Sequence, residues 1–305
     1  MAINNIIKLI LLNSAIFTGF IAWQYSNGVF VKTPSDAIAN SYLIRVELKN
    51  KTARSLLSPT FLMTLPIKAT SNNQHTNVRV PDPNIQENIE NLENLENLEN
   101  LENLENDSAL INMPATAPFG FSSLDIHLDV ISYSANKKEN IDNNLYLSPS
   151  KYIESHDEKI VSLSEKLTSQ YSSNIDKTKA IFTWIVDNIS YSGFKAQNQG
   201  ALHALKTLSG DCTEFSYLTT ALLRSINIPS RVVVGFIAEN KRRLKSEDLH
   251  NWVEVYIDNH WHIIDPQNNI FFPDYYKYVQ LGVLNENNPS LGVLTQLQPE
   301  FEVTF

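Results

Sequence analysis

One cysteine in 305 residues, Cys212, leaves no partner for an internal disulfide and no thiol cluster for a metal. A basic surface is missing as well. The chain has 24 Lys and Arg against 33 Asp and Glu, a formal net charge of -9. Nucleic-acid binders need a basic face, so that class is set aside. The acid excess says nothing about a substrate, because it belongs to one segment. Residues 81–107 hold nine acidic and no basic residues, and the other 24 acidic residues match the 24 basic ones. Hydrophobic residues make up 43% and charged residues 19%, a globular composition. The length is enough for two domains of ordinary size.

Charge is also absent from residues 9–23, with Lys8 the only charge before them. Counted from Ile6, the apolar stretch reaches 18 residues if Lys8 snorkels toward head groups. It is expected to be a hydrophobic helix acting as a signal anchor. No small-x-small site follows Trp23, so an uncleaved anchor is favoured over a cleaved secretory signal. Lys8 on the N-terminal side predicts an exported body held at the membrane. A buried core helix would show a polar face, which this stretch lacks. Residues 24–36 read as a polar tether.

A β-rich domain is expected over 37–148. In residues 41–48, Tyr42, Ile44, Val46 and Leu48 oppose Leu43, Arg45 and Glu47, the period of a strand. Residues 56–68 read as a second extended stretch broken by Pro59 and Pro66, and residues 118–133 as a third, alternating at Leu124, Ile126, Leu128 and Val130. Together they suggest a small antiparallel β-sandwich. An insert at about 84–107 interrupts it. Asn-Ile-Glu at 88–90 is followed by five copies of Asn-Leu-Glu through Glu105. An α-helix turns about 100° per residue, so a period of three moves each leucine by about 60° and no stripe forms. A strand puts alternate leucines on opposite faces. The insert is therefore expected to be a mostly disordered surface loop, with a partner-docking helical arm as the alternative.

Residues 149–305 change character. An amphipathic helix is expected over 155–171, capped by Ser155 with Asp157 and Glu158 in its first turn. A second is expected over 176–189, with Ala180, Ile181, Trp184, Ile185 and Ile189 on one face. A third, over 212–226, turns Phe215, Leu218, Leu222 and Leu223 inward. Three strand-like runs follow at 231–238, 250–257 and 261–265. Helices and then an antiparallel sheet indicate an α+β domain.

Cys212 opens the third helix in Ser-Gly-Asp-Cys-Thr-Glu-Phe. A helix N-terminus offers unpaired N–H groups and a partial positive charge, and both favour a thiolate. A buried inert cysteine is the plain alternative. A thiolate nucleophile needs a base held by a third group. His250 opens one strand and Asp265 closes the next, with Asp258-Asn259 as the turn between them. A two-residue loop there pairs Ile257 with His260 and sets Asp265 opposite Trp252. His250 lies on the same face as Trp252, so base and orienter are diagonal neighbours; a one-residue slip would separate them. On this parity His262 points to the other face, and His203 reads as structural. His250, His260 and His262 lack the spacing of a specific metal site.

The set of Gly210-Asp211-Cys212-Thr213-Glu214-Phe215, residues 222–232, His250-Asn251-Trp252-Val253-Glu254-Val255 and Asp265-Pro266 resembles the transglutaminase-like superfamily. The stretch 183–191 is similar to the helix upstream of the nucleophile in that family. The resemblance covers about residues 150–267, and the lead-in 146–150 after a β-rich region is similar to exported bacterial members. It implies a papain-like α+β core of helices packed on an antiparallel sheet. It also implies acyl transfer with Cys212 as nucleophile, His250 as proton carrier and Asp265 as its orienter, without cofactor or metal. The Cys212 N–H would be one oxyanion donor. Tyr191, Gln197 and Gln199 are candidates for the second, with Tyr191 favoured. Asn251 stands where many relatives have a small residue. The expected partner is a protein or peptide substrate, and the expected reaction hydrolysis. Cross-linking to an amine is the alternative, and a non-catalytic binding module the rival from another class. Phe271, Phe272, Tyr275, Tyr276 and Tyr278 are candidates for a cleft wall or for core packing.

Overall fold

The structure, a computed structural model, describes residues 37–66, 73–80, 108–133, 140–141, 143–195, 197–238, 242–284, 293–296 and 299–305. Among the described residues no helix is long and apolar enough to cross a membrane. The expected anchor, its tether and the Asn-Leu-Glu repeat lie outside them.

The first half contributes β1 (Ala37–Asn50), β2 (Thr60–Thr64), β3 (Gln74–Arg79), β4 (Ser108–Asn112) and β5 (Phe121–Tyr133). The alternation seen in the sequence decides which faces meet. β1 pairs antiparallel with β5 so that Tyr42 faces Leu128, Ile44 faces Ile126 and Val46 faces Leu124. Ile44, Val46, Leu48 and Ile126 are completely buried. Each such side chain contributes about 1.5–3 kcal/mol relative to exposure. β2 and β4 form a second small sheet whose Phe61 and Ile111 close the same core. The unmatched strands in the sequence reading are β3, which carries little apolar patterning, and β4, which begins directly after the repeat.

Among the described residues the second half contributes five α-helices: α1 (Asn143–Leu147), α2 (Glu158–Thr168), α3 (Asn174–Asn188), α4 (Ala201–Thr207) and α5 (Cys212–Ser225). β6 (Ser190–Tyr191) and β7 (Ser209–Gly210) are short parallel partners that flank α4. The remaining strands are β8 (Ser230–Ile237), β9 (Arg243–Leu244), β10 (Leu249–Ile257), β11 (His260–Asp265), β12 (Ile270–Phe271), β13 (Tyr278–Val283), β14 (Leu294–Gln296) and β15 (Phe301–Thr304). One sheet runs in the order β12-β11-β10-β8-β13. α5 is its companion: Thr213 through Arg224 are all buried, in a core shared with α2, α3 and the Val253, Val255 and Ile257 face of β10.

Two features depart from the sequence reading. Ser155 does not cap α2. It is buried, and Asp157 is the cap, accepting the Lys159 N–H at 2.9 Å. A carboxylate at that position satisfies an orphan donor and also meets the helix dipole, which a hydroxyl does not. Second, three strands cross the expected 148/149 division. β15 pairs with β1, β9 pairs with β1, and β14 pairs with β2. Val234, Phe236, Val279 and Leu281 join Ile44 and Phe61 in one core, so the two halves share packing.

Candidate active site

The turn into α5 is set by contacts that leave little freedom. Asp211 caps the helix by accepting the Thr213 N–H at 2.8 Å, and Glu214 reaches back to accept the Asp211 N–H at 3.2 Å. This reciprocal capping box closes two orphan donors. Gly210 is required there, because a Cβ would lie 2.4 Å from the Glu214 Cβ. Cys212 follows as the first residue of α5, only partly exposed.

The β10–β11 hairpin has the register its turn dictates. Ile257 pairs with His260, and Val253 with Ile264. Asp258 and Asn259 both adopt left-handed conformations, with φ 54° and 65°. That is the two-residue turn matching strand twist. Beyond Ile264 the ladder ends, and Asp265 instead pairs with Ile270 of β12. The separation leaves room for His250 Nε2 to meet Asp265 Oδ2 at 2.9 Å. The Cys212 side chain lies close enough to the imidazole to raise its pKa. With Nε2 taken by Asp265, Nδ1 is the ring nitrogen left for the thiol. Burial disfavours the imidazolium, but Asp265 and Cys212 outweigh it and lift the His250 pKa to about 9. His262 does not enter this group. It stacks on Phe272, with ring centroids 4.5 Å apart, and burial pushes its pKa down.

Residues 161–266 match the family model of the transglutaminase-like superfamily. An uncharacterized protein of Mycobacterium leprae is 27% identical over 105 residues, covering 33% of this chain and 37% of that protein. The uncharacterized protein YebA of Bacillus subtilis is 29% identical over 128 residues, covering 36% of this chain and 17% of YebA. The matches thus span well under half of either relative. A structure from Cytophaga hutchinsonii, proposed to be a cysteine protease, shares the fold: the TM-score is 0.55 at 17% identity, over 88% of this chain and 90% of that one.

Just beyond the matched stretch, two residues complete the site that sequence reasoning did not name as part of it. Asn268 donates through Nδ2 to Asp265 Oδ2 at 2.8 Å and through its backbone N–H to Oδ1 at 3.3 Å. Its Nδ2 also lies 3.1 Å from His250 Nε2. Tyr278 Oη donates to the same Asp265 oxygen at 3.0 Å. The available signal was the spacing Asp-Pro-x-Asn, in which an asparagine three residues on folds back over the turn. Tyr278 had been grouped with the aromatics. Tyr275 and Tyr278 are buried, while Phe271 and Phe272 are half-buried and stacked with centroids 4.1 Å apart.

Behind His250 the sheet is unusually close. His250 is opposite Gly235 in β8, where a Cβ would meet the Val279 carbonyl oxygen at 2.1 Å and the Trp252 ring at 2.7 Å. Only glycine admits that approach. Asn251, on the other face, donates to Thr213 Oγ1 at 2.9 Å and ties β10 to the first turn of α5. Of the oxyanion candidates, Tyr191 pairs with Gly210 across β6–β7, two residues before the thiol. The Gln199 side chain accepts from Lys195 Nζ at 3.4 Å, and both Gln199 and Gln197 are exposed.

Proposed function

We propose that this chain catalyses thiol-dependent acyl transfer on a protein or peptide amide, with water as the usual acceptor. The observation that carries the reading is one buried imidazole hydrogen-bonded to Asp265, its pKa raised by Asp265 and by the neighbouring Cys212. Cys212 Sγ would attack the amide carbonyl as the thiolate. His250 Nδ1 would give its proton to the departing amine, leaving a thioester on Cys212. Water would then attack the thioester, losing a proton to His250 as the acid leaves and the thiolate returns. Asp265 would keep Nε2 protonated and the ring in register. Asn268 and Tyr278 would hold the Asp265 carboxylate in place, as positioning residues.

The negative charge on the carbonyl oxygen needs donors fixed in advance. The Cys212 N–H at the start of α5 has no intrahelical partner and fits that role. Tyr191 is the candidate second donor, supported by its pairing with Gly210, two residues before Cys212. The uncharged run after Lys8 supports an exported, membrane-held domain acting on proteins outside the cytoplasm. Protease added to spheroplasts should then digest it, and protection until lysis would refute that placement.

The reaction is tested with an amide-bearing protein substrate, with and without a primary amine. Acid release unaffected by amine supports hydrolysis. Amine incorporation at the expense of acid supports a cross-linking transglutaminase. Turnover that persists in Cys212→Ala removes both. Binding without turnover in the unaltered protein leaves a non-catalytic binding module.

A further inference from the structure

Two buried carboxylates beside Cys212 take no part in the proton transfers. Asp211 and Glu214 are 2% and 1% exposed. Asp211 Oδ2 accepts the Lys195 N–H at 2.9 Å, and Glu214 Oε1 accepts the Gln199 N–H at 3.0 Å. The Ser190 and Ser192 N–H groups reach the Leu208 and Gly210 carbonyls at 3.0 and 2.9 Å. The segment after α3 is therefore fastened at four points to the chain that delivers the nucleophile. Buried carboxylates are costly unless hydrogen-bonded, so these contacts hold the segment firmly.

What the fastened segment presents outward is apolar. Tyr191 is 58% exposed and Phe194 is 80% exposed. Gly193, at φ +82° with nothing within 4 Å of a built Cβ, gives the turn between them. Single exposed apolar side chains are common on protein surfaces. This one is distinguished by its anchorage. Phe194 adjoins Lys195, which hangs on Asp211, and Asp211 adjoins Cys212. The Phe194 backbone is thus held to the cap residue that directly precedes the nucleophile.

We infer that Phe194 is a specificity-determining residue that packs on an apolar side chain of the peptide next to the amide attacked by Cys212. The inference rests on the acyl-transfer reading above. Two reagents of one scaffold test it: acetyl-Gly-Phe and acetyl-Gly-Asp chloromethyl ketones. In both, the Cys212 thiolate displaces chloride, so an S–C bond forms as the C–Cl bond breaks. The Phe reagent should alkylate Cys212 about tenfold faster or more, the size of one apolar contact in a specificity pocket. Phe194→Ala should bring the ratio toward unity, Phe194→Leu should keep most of it, and neither should change labelling by iodoacetamide, which has no side chain to recognise. Equal rates in the unaltered protein, or a ratio that survives Phe194→Ala, overturn the inference. Failure of the underlying reading shows differently, as iodoacetamide labelling that ignores His250→Gln.

Discussion

His250 is 7% exposed and lies between a thiol and a carboxylate, and its protonation is the pivot of the site. Its pKa is about 9 in the folded chain against 6.5 for an ordinary histidine. A raised folded pKa means that the stabilisation is fully present below about 6.5 and is lost as pH rises through about 9. The urea midpoint of the unaltered protein should fall over that window, and His250→Gln should remove the fall; parallel curves would contradict the ion-pair account. Asp265→Asn should keep the fold and slow turnover by about 10³–10⁴-fold, because the imidazole loses its orienting charge and can adopt the wrong tautomer. Circular dichroism and single-turnover kinetics check the two halves of that statement. The place of Cys212 at a helix start and the meeting of His250 with Asp265 were legible because a helix start and strand parity each leave a mark in one stretch of sequence. Asn268 and Tyr278 were not, because the contact each makes with Asp265 depends on how a turn and a non-neighbouring strand fold back on it.

At the scale of elements, the β10–β11 hairpin carries the site, and its turn carries the hairpin. Asn259 sits at φ 65°, a conformation that costs most L residues roughly 1–2 kcal/mol. Asn259→Ala should destabilise by about that amount in denaturant melts, without shifting the register that the buried Val253, Val255 and Ile257 enforce. The register was legible because Asp-Asn between two alternating runs allows few turn types. Gly235→Ala attacks the same hairpin from behind, since the new methyl would press on the Val279 carbonyl and Trp252. Overpacking of that kind typically costs about 1–3 kcal/mol. It should also lower kcat/KM by displacing His250, which is opposite Gly235. A Gly235→Ala protein with full activity would show that the close approach is not needed. The Asp157 cap was harder to read, because Ser155, Asp157 and Glu158 all have capping chemistry and only the path of the preceding turn chooses among them.

At the scale of the whole molecule, the chain's last strand closes the first sheet. Phe301 of β15 is fully buried in the core that holds Ile44 and Phe61. Phe301→Ala should therefore cost about 3–5 kcal/mol, far from the thiol, and reduce activity only by lowering the folded fraction. That long-range closure was invisible in the sequence, where residues 301–304 are a short alternating run like many others. The β3–β4 connection spanning 81–107 is a different case. Deleting 88–105 shortens it about threefold, worth about 1 kcal/mol in loop entropy at most. The melting temperature should hardly change, and a large loss would mean that the leucines are packed. The central claim is that His250 activates Cys212, and the rate of Cys212 alkylation by iodoacetamide in the unaltered protein and in His250→Gln tests it most directly. The account predicts that His250→Gln slows labelling at neutral pH by about tenfold or more. Equal rates in the two proteins would contradict it.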